Sequence, residues 1–127
     1  MAPPLPNQLD PVDMRDAVNA KSYELIAAVA RTATFNGATV EIPVGRELIV
    51  TLDVTAASGT TPTLDVKLQH SPDGAIWSDL GTAFAQKTGV AQEVKVFTGI
   101  HGFVRVVSTI GGTTPSFTYS VYATGRP

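Results

Sequence analysis

The chain has 127 residues, 43% of them hydrophobic, which suits one domain with an ordinary core. Only 16% are charged and the formal net charge is −2, so the chain offers no basic footprint for nucleic acid. Cysteine is absent, which excludes disulfides, thiol catalysis and zinc–thiolate sites together.

Residues 1–9, MAPPLPNQL, hold three prolines and no periodicity. Pro3, Pro4 and Pro6 favour an extended, polyproline-like backbone that cannot join the middle of a sheet. Two readings stand: a disordered terminus, or, with Leu5 and Leu9, an arm that orders on a neighbouring subunit. No basic start leads into an apolar core, so no signal peptide is expected. The apolar run at residues 25–30 is too short to span a bilayer. Asp10 and Pro11 read as the N-cap and first position of a short helix ending near Lys21. The domain division is therefore an arm with a possible short helix at 1–21 and a β domain at 22–127.

From Ser22 the pattern becomes extended. Asn36-Gly37 reads as a hairpin turn, with residues 38–42 as the return strand. Pro43 ends that strand and Gly45 opens another turn. Residues 47–55 form the clearest strand, with Leu48, Val50, Leu52 and Val54 alternating against Ile49, Thr51, Asp53 and Thr55. Residues 56–62 read as a small polar loop around Gly59. Residues 64–80, LDVKLQHSPDGAIWSDL, read as a β-hairpin. Leu64, Val66 and Leu68 share one face, and Ser71-Pro72-Asp73-Gly74 supplies the turn. Its second arm places Trp77, the sole tryptophan, over the core or beside a partner. Residues 81–89 read as loop. Strands follow at 92–97, 103–110 and 116–124, with a loop from Gly111-Gly112 to Pro115. No internal repeat appears at a fixed period.

The fold class is all-β, an antiparallel β-sandwich or jelly roll of seven to nine short strands. Turn signals recur every 8–12 residues or so, and the loops are too short for parallel crossovers. Threonine-rich runs clad the outer faces, where β-branching favours extended backbone.

Chemistry is sparse. His70 and His101 lack the spacing of a zinc pair, and the simplest reading bonds each to loop backbone. Asp73-Gly74 lacks the alternating oxygen ligands of a calcium loop. No nucleophile elbow or phosphate loop occurs. The chain reads as a non-enzyme needing no cofactor or metal. Trp77, Phe97, Phe103, Tyr119 and Tyr122 suit core packing or cross-strand pairing, but Phe97, Phe103 and Tyr122 share parity with polar residues, and an exposed apolar patch usually marks a partner. With Arg105 they are the candidate subunit contacts.

The stretches LDVKLQHSPDGAIWSDL, GFVRVV and GGTTPSFTYSVYATG resemble small virion proteins of tailed bacteriophages, over about residues 47–125. That resemblance implies a capsid decoration or cement protein that binds the outer surface of the major capsid protein shell and stabilises it. It implies a homotrimer made in the host cytoplasm and carried on the virion, with no nucleic-acid or membrane partner. The extended arm (Pro3, Pro4, Leu5, Pro6, Leu9) would take part in the clamp. The rival reading is a tail or head-fibre accessory that binds carbohydrate or a receptor, with Trp77 as stacking platform.

Overall fold

A computed structural model describes residues 21–42 and 47–126. The proline arm, the helix expected from Asp10 and the turn at Pro43 lie outside them. Seven strands form: β1 (Lys21–Arg31), β2 (Phe35–Asn36), β3 (Val40–Glu41), β4 (Glu47–Ser71), β5 (Ser78–Leu80), β6 (Ala91–Phe97) and β7 (Phe103–Arg126). Every pairing between them is antiparallel.

The short strands expected in the middle of the chain are two long ones. β4 has 25 residues and β7 has 24. They pair along their whole length, from Glu47 opposite Arg126 to Ser71 opposite Phe103. A straight strand of that length would run about 80 Å at roughly 3.3 Å per residue. A compact domain of this size has a radius of gyration of only about 14 Å. The ribbon must therefore fold over at its middle.

The fold lies where loops were expected, at residues 56–62 and 111–115. Gly59-Thr60-Thr61-Pro62 on β4 faces Gly112-Thr113-Thr114-Pro115 on β7, and the register shifts on both sides of Thr60. The two segments share one backbone conformation. Gly59 and Gly112 both have φ of 111°, and Thr61 and Thr114 have φ of 46° and 45°. A Cβ on Gly59 would sit 2.6 Å from the Thr114 carbonyl oxygen; one on Gly112 would sit 2.7 Å from that of Thr61. Each glycine makes room for the opposite segment, and each proline withholds a ladder donor so that the regular ribbon is interrupted. This four-residue repeat occurs twice, so it sets no fixed period. It is too short to show as a period, and symmetry gives it meaning only once the strands pair.

On either side of the corner the same face turns inward. Leu48, Val50, Leu52 and Val54 precede it on β4, and Leu64, Val66 and Leu68 follow it; all are buried in one continuous core. Phe117 and Tyr119 are the largest fully buried side chains there. Each contributes on the order of 2–3 kcal/mol of transfer free energy. The two halves of the ribbon thus form two layers around that core. Layer one runs β1, the second half of β7, the first half of β4, then β6. Layer two runs β2 with β3, the first half of β7, the second half of β4, then β5. With β4 and β7 passing from one layer to the other, this is a jelly-roll sandwich.

Two local expectations change. Asn36-Gly37 is not a hairpin turn, because β2 and β3 both pair with β7 and not with each other. They form one interrupted edge strand, held at the break by the Gly37 amide donating to the Val106 carbonyl at 2.8 Å. Gly37 is small because a Cβ there would lie 2.6 Å from the Leu25 carbonyl. Residues 81–89 are also more ordered than a loop. The Phe84 amide bonds the Val66 carbonyl, Lys87 and Leu64 exchange both backbone bonds, and Phe84 is buried.

The 64–80 hairpin forms as read, with Leu68, Gln69 and His70 opposite Leu80, Asp79 and Ser78. The Ser71 hydroxyl accepts from the Gly74 amide at 2.8 Å. The Asp73 carboxylate accepts from the amides of Ala75 and Ile76 at 2.9 and 3.1 Å. Those amides, Ala75 first, hold the Asp73 carboxyl below its usual range.

Candidate interaction surfaces

The candidate contact residues do not form one patch. Pro3, Pro4, Leu5, Pro6 and Leu9 lie outside the described residues. Phe97 is only 2% exposed and packs tilted against Phe84 at 6.1 Å between ring centroids. The parity argument put it on the surface, but β6 carries its charges inward. Glu93 and Lys95 share Phe97's side of the strand, while Gln92, Val94 and Val96 point out. Phe97 is thus a core residue. Phe103 and Arg105 are half-buried on the outer side of layer two. Tyr122 is exposed on layer one, because β7 changes layer between residues 111 and 117. The two sets therefore face away from each other across the sandwich.

The outer side of layer two carries a chain of polar contacts. The Arg105 guanidinium lies 4.3 Å from the centroid of the Trp77 ring. Its Nε donates to Gln69 Oε1 at 2.9 Å, and Gln69 Nε2 donates to Asp79 Oδ1 at 3.0 Å. Lys67 Nζ pairs with Asp79 at 3.2 Å. The Gln69 and Lys67 hydrogen bonds, in that order, draw the Asp79 carboxyl below its usual range. Trp77 is half-buried with one ring face covered by Arg105. It belongs neither to the core nor to an open stacking platform. Beside this chain lies a shallow depression of about 250 Å³ lined by Asp65, Lys67, Ala83, Val107 and Thr109.

The outer side of layer one carries an apolar patch. Val94 and Val96 are 55% and 58% exposed, and they lie opposite Thr51 and Ile49 on β4. Tyr122 stands on the far side of Thr51, and its hydroxyl donates to Glu24 Oε2 at 2.7 Å. That bond, with the charge behind it, raises the Tyr122 hydroxyl above its ordinary value.

His70 and His101 meet each other, a contact their separation in sequence hid. Their rings are edge to face with centroids 4.6 Å apart. Burial, then the neighbouring His101, lowers the His70 pKa. Among the described residues, no group of three or more His, Asp or Glu side chains converges as a metal site would require.

No protein-family model matches this sequence, and no curated protein matches it closely enough to count as a relative. Solved structures do match. One is described as "Structure of infectious bursal disease virus Gx strain", with a TM-score of 0.52 and 11% sequence identity. The shared property is the fold. The match covers 83% of this chain and 31% of that one, so this chain spans about a third of the viral chain's length.

Proposed function

We propose that this protein is a structural component of a bacteriophage virion, a capsid decoration protein that binds the outer surface of the major capsid protein shell and stabilises it. The observation that carries this reading is the jelly roll itself, a fold held in common with a chain from a structure of infectious bursal disease virus. The phage-like stretches at about residues 47–125 agree with it. So does the build of the body: two paired layers, a continuous core, and outer sides made of threonine, valine and short polar contacts. The protein acts as a homotrimeric clamp without catalysis. Residues 1–9 form the arm that reaches across a seam between capsid subunits, spanning up to about 30 Å if extended. A lattice of such contacts adds avidity to each modest one.

The test is a binding experiment on expanded capsids that lack the protein. Full-length chain should cosediment with them and raise their resistance to heat. A chain lacking residues 1–9 should fold and bind poorly. Full-length protein that leaves the capsids bare would sink the reading. The rival, a carbohydrate-binding fibre accessory, is less well served by Trp77, whose ring face is already stacked on by Arg105. A glycan array with the isolated protein separates the two.

A further inference from the structure

We propose that β6 is a self-complementary edge, at which a second copy of this chain adds antiparallel and extends layer one across a two-fold axis. The inference goes beyond the decoration reading and does not depend on a capsid. Among the described residues, β6 pairs only with β4. Half of its backbone groups therefore face away from the sheet, a ready template for another strand. Edges are commonly blunted by proline, a bulge or charged side chains, inward-pointing ones included. β6, AQEVKVF, has no proline and its ladder with β4 has no register shift; its two inward charges, Glu93 and Lys95, are opposite in sign, so a second copy can satisfy them.

Apart from Gln92, what it presents outward is apolar. Val94 and Val96 are more than half exposed, Val90 just before the strand is 72% exposed, and Ile49 continues the patch onto β4. The core does not use these side chains. The inward charges have a local task on one side only: Glu93 pairs with Lys87 at 2.5 Å and accepts the Ala85 amide at 3.0 Å.

The occupant follows from charge complementarity. Val94 is the central residue of the seven in β6. An antiparallel pair centred there sets Val94 opposite Val94 of the second copy. It sets Glu93 opposite Lys95 and Lys95 opposite Glu93, so each charge meets its opposite. Gln92 faces Val96, and the two valine–isoleucine patches become one. Cross-strand pairs of opposite charge favour such a register, and like charges oppose it. The contact is isologous, so it closes as a dimer of single chains or, if three copies join elsewhere, as a link between trimers.

The absence of native cysteine allows a direct test. Across the two-fold the Val94 Cα atoms would lie about 4.5–5.5 Å apart, within disulfide reach. The full chain with Val94→Cys should oxidise to a covalent dimer far faster than Val90→Cys, which is at least as exposed but off the register. Lys95→Glu puts Glu93 against a glutamate twice. Sedimentation should then show the mass of the wild-type particle halved, or its dissociation constant raised at least tenfold. Trp77 emission reports that the variant is folded. Equal oxidation rates for the two cysteine variants, or a wild-type particle that Lys95→Glu leaves unchanged, would overturn the proposal. So would a wild-type chain that stays single at high concentration.

Discussion

Replacing Gly112 by alanine should be among the most damaging single-methyl additions available to this fold. Gly112 has φ of 111°, where side chains are rarely found, and that strain alone costs on the order of 1–3 kcal/mol. The new Cβ would also lie 2.7 Å from the Thr61 carbonyl oxygen and 2.9 Å from Pro62 Cα. Both atoms are backbone, so relief requires the corner to open, at about 1–3 kcal/mol for overpacking. Together the loss is about 2–6 kcal/mol, a large part of the ~5–15 kcal/mol that holds a domain folded. For a chain of this length that lowers the melting temperature by about 10–20 °C. Gly59→Ala should behave alike, because its Cβ meets the matching atoms of Thr114 and Pro115. Two controls separate the causes. Gly74→Ala carries a positive φ but meets nothing within 4 Å, so only the strain remains. Gly89→Ala has neither, and should change little. Thermal unfolding of the four variants checks the order. Melting of Gly112→Ala within a degree or two of Gly89→Ala would refute the account of the corner.

Phe97→Ala should cost about 3–5 kcal/mol, read by denaturant unfolding, because the ring is a core side chain; a loss under about 1 kcal/mol would return Phe97 to the surface. His70 gives a pH dependence. Burial and then His101 make the folded state hold its proton less tightly than the unfolded chain, whose ordinary value is 6.5. Stability from neutral His70 is therefore complete above about pH 6.5 and declines as the pH falls below it. Melting at pH 7.5 and 5.5 should show that slope in the wild type and a flatter one in His70→Asn; equal slopes contradict it. Arg105→Ala uncovers one face of the only tryptophan, so the emission of Trp77 should shift to the red. Unchanged emission would mean that the cation does not cover the ring in solution.

The layers were legible because β4 and β7 alternate cleanly around Leu48–Val54 and Val104–Val106, and period-two alternation is what a half-buried strand requires. The SPDG hairpin was legible because proline, aspartate and glycine each fix a turn locally. The corners were not. Gly-Thr-Thr-Pro carries every mark of a loop, and only pairing with its own repeat 53 residues later keeps it in the ribbon. Asn36-Gly37 misled for the reverse reason: the dipeptide favours a hairpin, but a Leu25 backbone close by needs a glycine for space. The candidate surface was half legible. Parity put Tyr122, Phe103 and Arg105 outside. It failed for Phe97 because β6 inverts the usual pattern, with Glu93 turned in to meet Lys87 and valines turned out. The His70–His101 contact left no trace in sequence, since it depends on how two distant turns meet.

The measurement that bears most directly on the central claim is an electron cryomicroscopy reconstruction of the particle that carries this chain. The account predicts density for the jelly roll on the outside of the shell, with the chain ahead of Lys21 running over a junction between capsid subunits. A shell with no such density, on particles shown to contain the protein at the tail alone, would contradict it.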